Sequence, residues 1–228
     1  MPASDKSNGY EAIASLYLEA RGNAPGGIGA PEIADWARTL PPGATVLDIA
    51  CGTGLPVTLA LINCGLNVYA LDASPSMVAA FRRNFPNVPV ECSAVEDFDF
   101  FGRTFDAAVS WGLMFLLEPE TQRNLIATVA AHLVPGGKFV FTAPTQCGTW
   151  QDAMTGIPSV SLGREAYLGA IENAGLTLVG ERTDPGENHY CLLEKRGPSR
   201  EKLPSDDDLA RCESFDVTQC GQESSISP

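Results

Sequence analysis

The sequence predicts an α/β domain: a seven-stranded, mainly parallel sheet with an antiparallel last strand and helices on both faces. Three observations carry this. Strand-length apolar runs alternate with longer amphipathic runs from Thr45 to Lys195, the order that builds a parallel sheet covered on both sides. The segment Val46–Leu61 (VLDIACGTGLPVTLAL) reads without a break as strand, glycine turn and helix. The final two apolar runs flank Asp184-Pro-Gly-Glu-Asn188, a composition that reverses the chain.

The elements follow in order. Ala12–Arg21 and Pro31–Leu40 are expected helices, the second ended by Pro41-Pro42-Gly43. Thr45–Ile49 is a buried strand and Leu55–Ile62 the helix behind the glycine turn. Asn67–Leu71 is the second strand. Pro75–Asn84 is a helix with Ser74 as its cap and proline in its first position. Val88–Cys92 and Asp106–Trp111 are strands three and four. Glu120–Leu133 is a helix stopped by Pro135-Gly136-Gly137, and Lys138–Thr142 is strand five. Ala143–Leu162 is expected to be a long irregular stretch, packed through Trp150 and Met154. Arg164–Ala174 is a helix ended by Gly175. Leu176–Arg182 and His189–Lys195 close the sheet.

Residues 1–196 are read as one domain. From Gly197 to Pro228 apolar residues thin out, and three Lys/Arg stand against seven Asp/Glu. Such a segment buries too little surface to offset its ordering entropy, so an acidic disordered tail is expected. The whole chain carries a net charge of −13. That balance argues against nucleic acid and anionic membrane surfaces, both of which call for a basic face. Seven cysteines without a CxxC pair, and only two histidines, give no zinc motif. No metal is expected, and the thiols are expected reduced. The first residues lack a leader's apolar stretch, and no apolar run approaches the roughly 20 residues of a membrane span. A cytoplasmic protein, monomer or homodimer, is the expectation.

The chemistry sits in the glycine turn. Asp48 is followed by Gly52-Thr53-Gly54, and Asp72 ends the next strand 18 residues after Gly54. A glycine turn brings backbone close to a ligand and aims free helix N–H groups at it. An acid at the end of the second strand can hold both ribose hydroxyls of a nucleoside. The dinucleotide fingerprint G-x-G-x-x-G is broken by Val57, and no Lys-Ser/Thr follows for a phosphate loop. The pattern acid-x-x-x-Gly-x-Gly, a second acid, and Leu71-Asp-Ala-Ser-Pro-Ser-Met77 resembles the class I S-adenosylmethionine-dependent methyltransferases, which have a Rossmann-like fold. The resemblance runs from about Tyr10 to Arg196.

That resemblance implies S-adenosyl-L-methionine as cofactor and a set of site residues. Asp48, Gly52, Thr53 and Gly54 would face its methionine part. Asp72 would bind the ribose, and Ala73 and Met77 would flank the adenine. Many relatives place an acid after strand three, where this chain has Ala94; Val95 or Glu96 would substitute. Trp111 would stand where chain and cofactor meet.

For the acceptor, Met114, Phe115 and Trp150 suit an apolar or aromatic molecule. At least two of Leu113, Phe115 and Leu116 are expected in the core. Tyr17 and Arg21 share a helix face, and in similar proteins that helix closes over the cofactor. His189 is the candidate base, oriented by Asp184, Glu187 and Asn188; His132 reads as a helix C-terminal residue. The implied function is methylation of O, N or S on a small metabolite. The alternatives are a protein or peptide methyltransferase, or a methyltransferase fold that binds the cofactor without transfer, as a cyclase or binding partner.

Overall fold

The computed structural model describes residues 5–20 and 26–197. Arg21 and the expected tail beyond Gly197 lie outside the described residues. The elements are α1 Ala14–Ala20, α2 Ala30–Ala37, β1 Thr45–Ile49, α3 Val57–Asn63, β2 Asn67–Asp72, α4 Pro75–Asn84, β3 Val90–Cys92, β4 Phe105–Ser110, α5 Pro119–His132, β5 Leu133–Thr142, β6 Gly148–Gln151, β7 Pro158–Ser161, α6 Arg164–Asn173, β8 Leu176–Thr183 and β9 His189–Lys195. Seven strands form one sheet in the order β3-β2-β1-β4-β5-β9-β8. The first five run parallel, and β9 is antiparallel to both β5 and β8. No described helix is long and apolar enough to cross a membrane.

Two apolar layers sandwich the sheet, as expected where both faces carry helices. One layer joins Leu47, Phe139 and Phe141 to Leu125, Ile126 and Val129 of α5 and Tyr167 and Ile171 of α6. The other joins Val46, Val68 and Val140 to Ile33 and Trp36 of α2 and Leu61 of α3. Alternate residues of each strand feed opposite layers. With both faces covered, β1 is buried from Val46 to Ile49, Asp48 included.

Three expectations are corrected. First, Ala143–Leu162 is not irregular throughout: β6 and β7 pair antiparallel as a small second sheet. Trp150, on β6, is 38% exposed, so it does not anchor the stretch as expected. Second, β5 follows α5 directly at Leu133. Leu133 pairs with Phe105, and the Pro-Gly-Gly run is absorbed as a register shift between Phe105 and Ala107 rather than a separate stop. Third, α3 begins at Val57, because Pro56 occupies its N-cap position.

Candidate active site

The ligand edge of an open α/β sheet is the one outside the carboxyl ends of its parallel strands, at the switch in strand order. Here the order reverses between β1 and β4. The turn Gly52–Gly54 leaves β1 at that edge, Asp72 ends β2, Ser93–Glu96 follow β3, and Trp111 follows β4.

The turn is built by close approach. Gly54 has φ +82°, and a Cβ there would stand 2.4 Å from the Phe85 ring, so only glycine fits. Gly52, at φ +56°, has open space where its Cβ would be, which leaves its backbone accessible to a ligand. Asp72 ties this turn to the next loop. Its Oδ2 accepts from the Gly52 N–H and its Oδ1 from the Ser74 N–H, each at 2.8 Å. A carboxylate offers about four acceptor positions, so each oxygen keeps one for a ribose hydroxyl. Burial pushes the Asp72 carboxyl up from its ordinary value, against the pull of those two backbone bonds.

Asp48 has a different place. It is 1% exposed, and its Oδ2 accepts from the Thr58 hydroxyl at 2.5 Å. Burial pushes its carboxyl up to about 7, the Thr58 bond opposes this, and neighbouring Asp72 adds to it. Asp48 therefore braces the start of α3 beneath the turn. Thr53 is buried, and its carbonyl accepts from the Asn84 side chain at 3.0 Å. The Ser110 hydroxyl, which no sequence signal marks, is buried at the end of β4 without a hydrogen-bond partner among the described residues. An unsatisfied hydroxyl at this edge, the open face of Gly52 and the spare acceptor positions of Asp72 together fit a polar nucleoside cofactor.

The adenine end is less open. Ala73 is half-buried, while Met77 is 2% exposed and belongs to the buried side of α4. Val95 packs against the core, and Glu96 forms an ion pair with Lys6 at 3.0 Å. Trp111 packs on Tyr190 with ring centroids 5.2 Å apart and abuts Gly29 ahead of α2.

Glu11 was not singled out by the sequence, yet it anchors the N-terminal segment to this edge. It accepts from the Ser74 hydroxyl at 2.5 Å, the Ser76 hydroxyl at 2.7 Å and the Ser76 N–H at 3.0 Å. These bonds, the Ser74 hydroxyl first, hold its carboxyl below the ordinary range. Beside it, Gly9 packs on Ile157 and Thr155 next to β7. The segment thus spans from the mouth of β2 to the small second sheet. Tyr17 lies on it, edge-on to Tyr10 at 5.8 Å.

Among the acceptor-side residues, Phe115 and Trp150 meet at 5.8 Å. Met114 does not join them: it is fully buried in the core, so its expected place on the substrate is corrected. Of Leu113, Phe115 and Leu116, only Leu113 is buried; the short 3-10 turn Met114–Leu116 leaves the other two half-exposed. His132 stacks on Phe100 at 4.1 Å and bonds the Thr128 carbonyl.

His189 begins β9 at the carboxyl edge of the sheet, but with partners other than those expected. Asp184 is occupied by Gly186 and Asn188 of its own turn. The His189 ring instead has Nδ1 at 3.1 Å from the Ala143 carbonyl and Nε2 at 3.4 Å from Glu181. Its strand lies three positions from β1, roughly 14 Å at ordinary strand spacing. A groove of about 460 Å³ runs elsewhere, between α2 and α3, lined by Ala30, Ala34, Leu59 and Cys64.

Residues 46–137 match the family described as Methyltransferase domain. Cypemycin N-terminal methyltransferase of a Streptomyces species is 34% identical over 140 residues, which are 58% of this chain and 55% of that protein. A sugar-nucleotide N,N-dimethyltransferase of Streptomyces venezuelae, acting on a dTDP-3-amino sugar by its name, is 33% identical over 114 residues, 49% of this chain and 47% of that protein. An uncharacterized methyltransferase of Mycobacterium bovis is 30% identical over 191 residues, 83% of this chain and 66% of that protein. The chain spans about half the length of the first of these relatives. Among solved structures, an amino pentose methyltransferase of Micromonospora echinaspora, with S-adenosylmethionine bound, superposes with a TM-score of 0.63 at 22% identity, over 80% of this chain and 96% of that one. A sugar N-methyltransferase of a Streptoalloteichus species gives 0.62 at 22% identity, over 82% and 93%. These likenesses carry the fold. Residues 46–137 are thus a methyltransferase domain, carried on a seven-stranded sheet whose fold the chain shares with a methyltransferase solved with S-adenosylmethionine bound.

Proposed function

We propose that this chain transfers a methyl group from S-adenosylmethionine to an amine nitrogen of a small metabolite. The observation that carries the reading is Asp72 bridging the Gly52 turn and the α4 cap at the ligand edge, with an acceptor position spare on each oxygen. The relatives named for amino sugar and peptide N-methylation support nitrogen as the acceptor atom. When bound, the cofactor supplies a methyl carried on a positively charged sulfonium. The chain's own work is to hold both partners in line and exclude water, which is worth about 7–11 kcal/mol in well-oriented reactions.

In this reading Phe115 and Trp150 form an aromatic platform for the acceptor, and the Glu11 segment is the roof over the nucleoside. Both His189 ring nitrogens face protein oxygens, and its strand lies three positions from β1, so it is not assigned here as the base. Formation of S-adenosylhomocysteine with a panel of amino sugars and other small amines tests the proposal. Product with none of them, despite cofactor binding, favours the peptide reading or cofactor binding without transfer.

Two further results are expected. Trp150→Ala raises KM for the acceptor about tenfold, the loss of one aromatic stacking surface, and leaves cofactor affinity within twofold. Initial-rate kinetics check this; an unchanged acceptor KM removes Trp150 from the platform. Glu11→Gln weakens three charge-assisted bonds to the α4 cap and lowers cofactor affinity by about 5- to 15-fold. Calorimetric titration reads that change, and wild-type affinity would leave the segment without a part in binding.

A further inference from the structure

We propose that Glu181, His189 and Cys191 form a zinc site on the β8–β9 hairpin, three strand positions from the glycine turn of β1. The ladder places the donors together. Glu181 pairs directly with Cys191 across the two strands, and His189 pairs with Thr183. His189 and Cys191 are two apart on one strand, so they share its face. The carboxylate, imidazole and thiol donor atoms all lie within 4.8 Å of one another.

The orientation of the His189 ring suits a metal ligand. A carbonyl only accepts, so the Nδ1 facing Ala143 must carry the proton. Nε2 is then turned toward Glu181 Oε1, at 3.4 Å. Metal-bound histidines use the same arrangement: one nitrogen donates to a backbone carbonyl and the other binds the ion. A cavity of about 10 Å³ lies between these groups, bordered also by Tyr167 and Arg164. That is close to the space one small ion or water needs.

The donor set selects the ion. One nitrogen, one sulfur and one carboxylate oxygen suit zinc, with bonds of about 2.0–2.3 Å. The donors must draw in by about 1 Å to meet those lengths. Arg164 supplies the outer support. Its guanidinium donates to both Glu181 oxygens, at 2.7 Å to Oε2 and 3.0 Å to Oε1, and ligating carboxylates are held this way. On binding, the Cys191 S–H bond breaks, the sulfur–zinc bond forms and the proton leaves to solvent. Two plus charges on the ion then meet one thiolate and one carboxylate, with neutral imidazole completing the set. The site would clamp β8 and β9 to the end of β5 and the start of α6.

The test uses the full chain, stripped with chelator and titrated with Co²⁺ as a coloured substitute for Zn²⁺. The expected result is one ion per chain with a thiolate-to-cobalt absorption band. Cys191→Ser abolishes the band, while Cys64→Ser, a free thiol outside the cluster, retains it. Adding Zn²⁺ to stripped wild-type protein raises its Tm and displaces the cobalt. Wild-type protein that shows neither band nor Tm shift overturns the proposal, whatever the variants do, and leaves Glu181 and His189 as a proton-held ion pair. A band that survives in folded Cys191→Ser overturns it too. Neither outcome bears on methyl transfer, because the cofactor edge is read separately by its own titration.

Discussion

Asp72→Ala is expected to weaken S-adenosylmethionine binding by about 1.5–3 kcal/mol or more, roughly 10- to 150-fold, the worth of hydrogen bonds to a charged group. Two losses combine. The ribose hydroxyls lose their acceptor, and the Gly52 and Ser74 N–H groups lose the carboxylate that fixes the two loops. Asp72→Asn separates them. Its single amide oxygen keeps one of the two backbone bonds, so it should bind better than the alanine variant and worse than wild type. Calorimetric titration of the three proteins checks the order. Equal affinities would remove Asp72 from the site.

Asp48 carries the second large effect, on stability. Its ordinary carboxyl value is 3.8, and burial pushes it up to about 7 in the folded chain. Between those values the folded state holds a proton that the unfolded state has released. Stability therefore falls as pH rises through this window, by about 4 kcal/mol if the full shift acts. Asp48→Asn keeps an oxygen for the Thr58 hydroxyl and removes the titration. It should match wild type below about pH 4, flatten the decline, and be the more stable protein at pH 8. Urea unfolding across the pH range reads this directly. A wild-type curve that rises toward pH 7 with the same slope in the variant would show Asp48 ionised throughout.

Where local pattern and tertiary role agree, the sequence told the structure to the residue. Strand β1 and helix α4, with its Ser74 cap donated to by the Met77 N–H, needed no long-range information. Their boundaries are set by alternation, capping chemistry and proline. The small second sheet was hidden because Gly148–Gln151 is exposed at every position. Its strand state comes from pairing with Pro158–Ser161, not from an apolar pattern.

The site shows the same division. The glycine turn and Asp72 are contiguous signals, legible one element at a time. Glu11 reaches Ser74 across 63 positions, and nothing local marks an acid as an anchor. Met114 was misplaced because a 3-10 turn presents its neighbours outward and turns it into the core. For His189 the edge was legible from the strand directions, but its partners were not. Glu181 meets it only through the register of β8 on β9, and a cross-strand trio has no sequence spacing that a zinc motif would reveal.

The measurement that tests the central reading most directly is titration of the full wild-type chain with S-adenosylmethionine and, in parallel, with NADH. The expected result is saturable binding of one S-adenosylmethionine per chain and none of NADH. Binding of NADH without S-adenosylmethionine would contradict it, and the assignment of the Gly52 turn and Asp72 would fall with it.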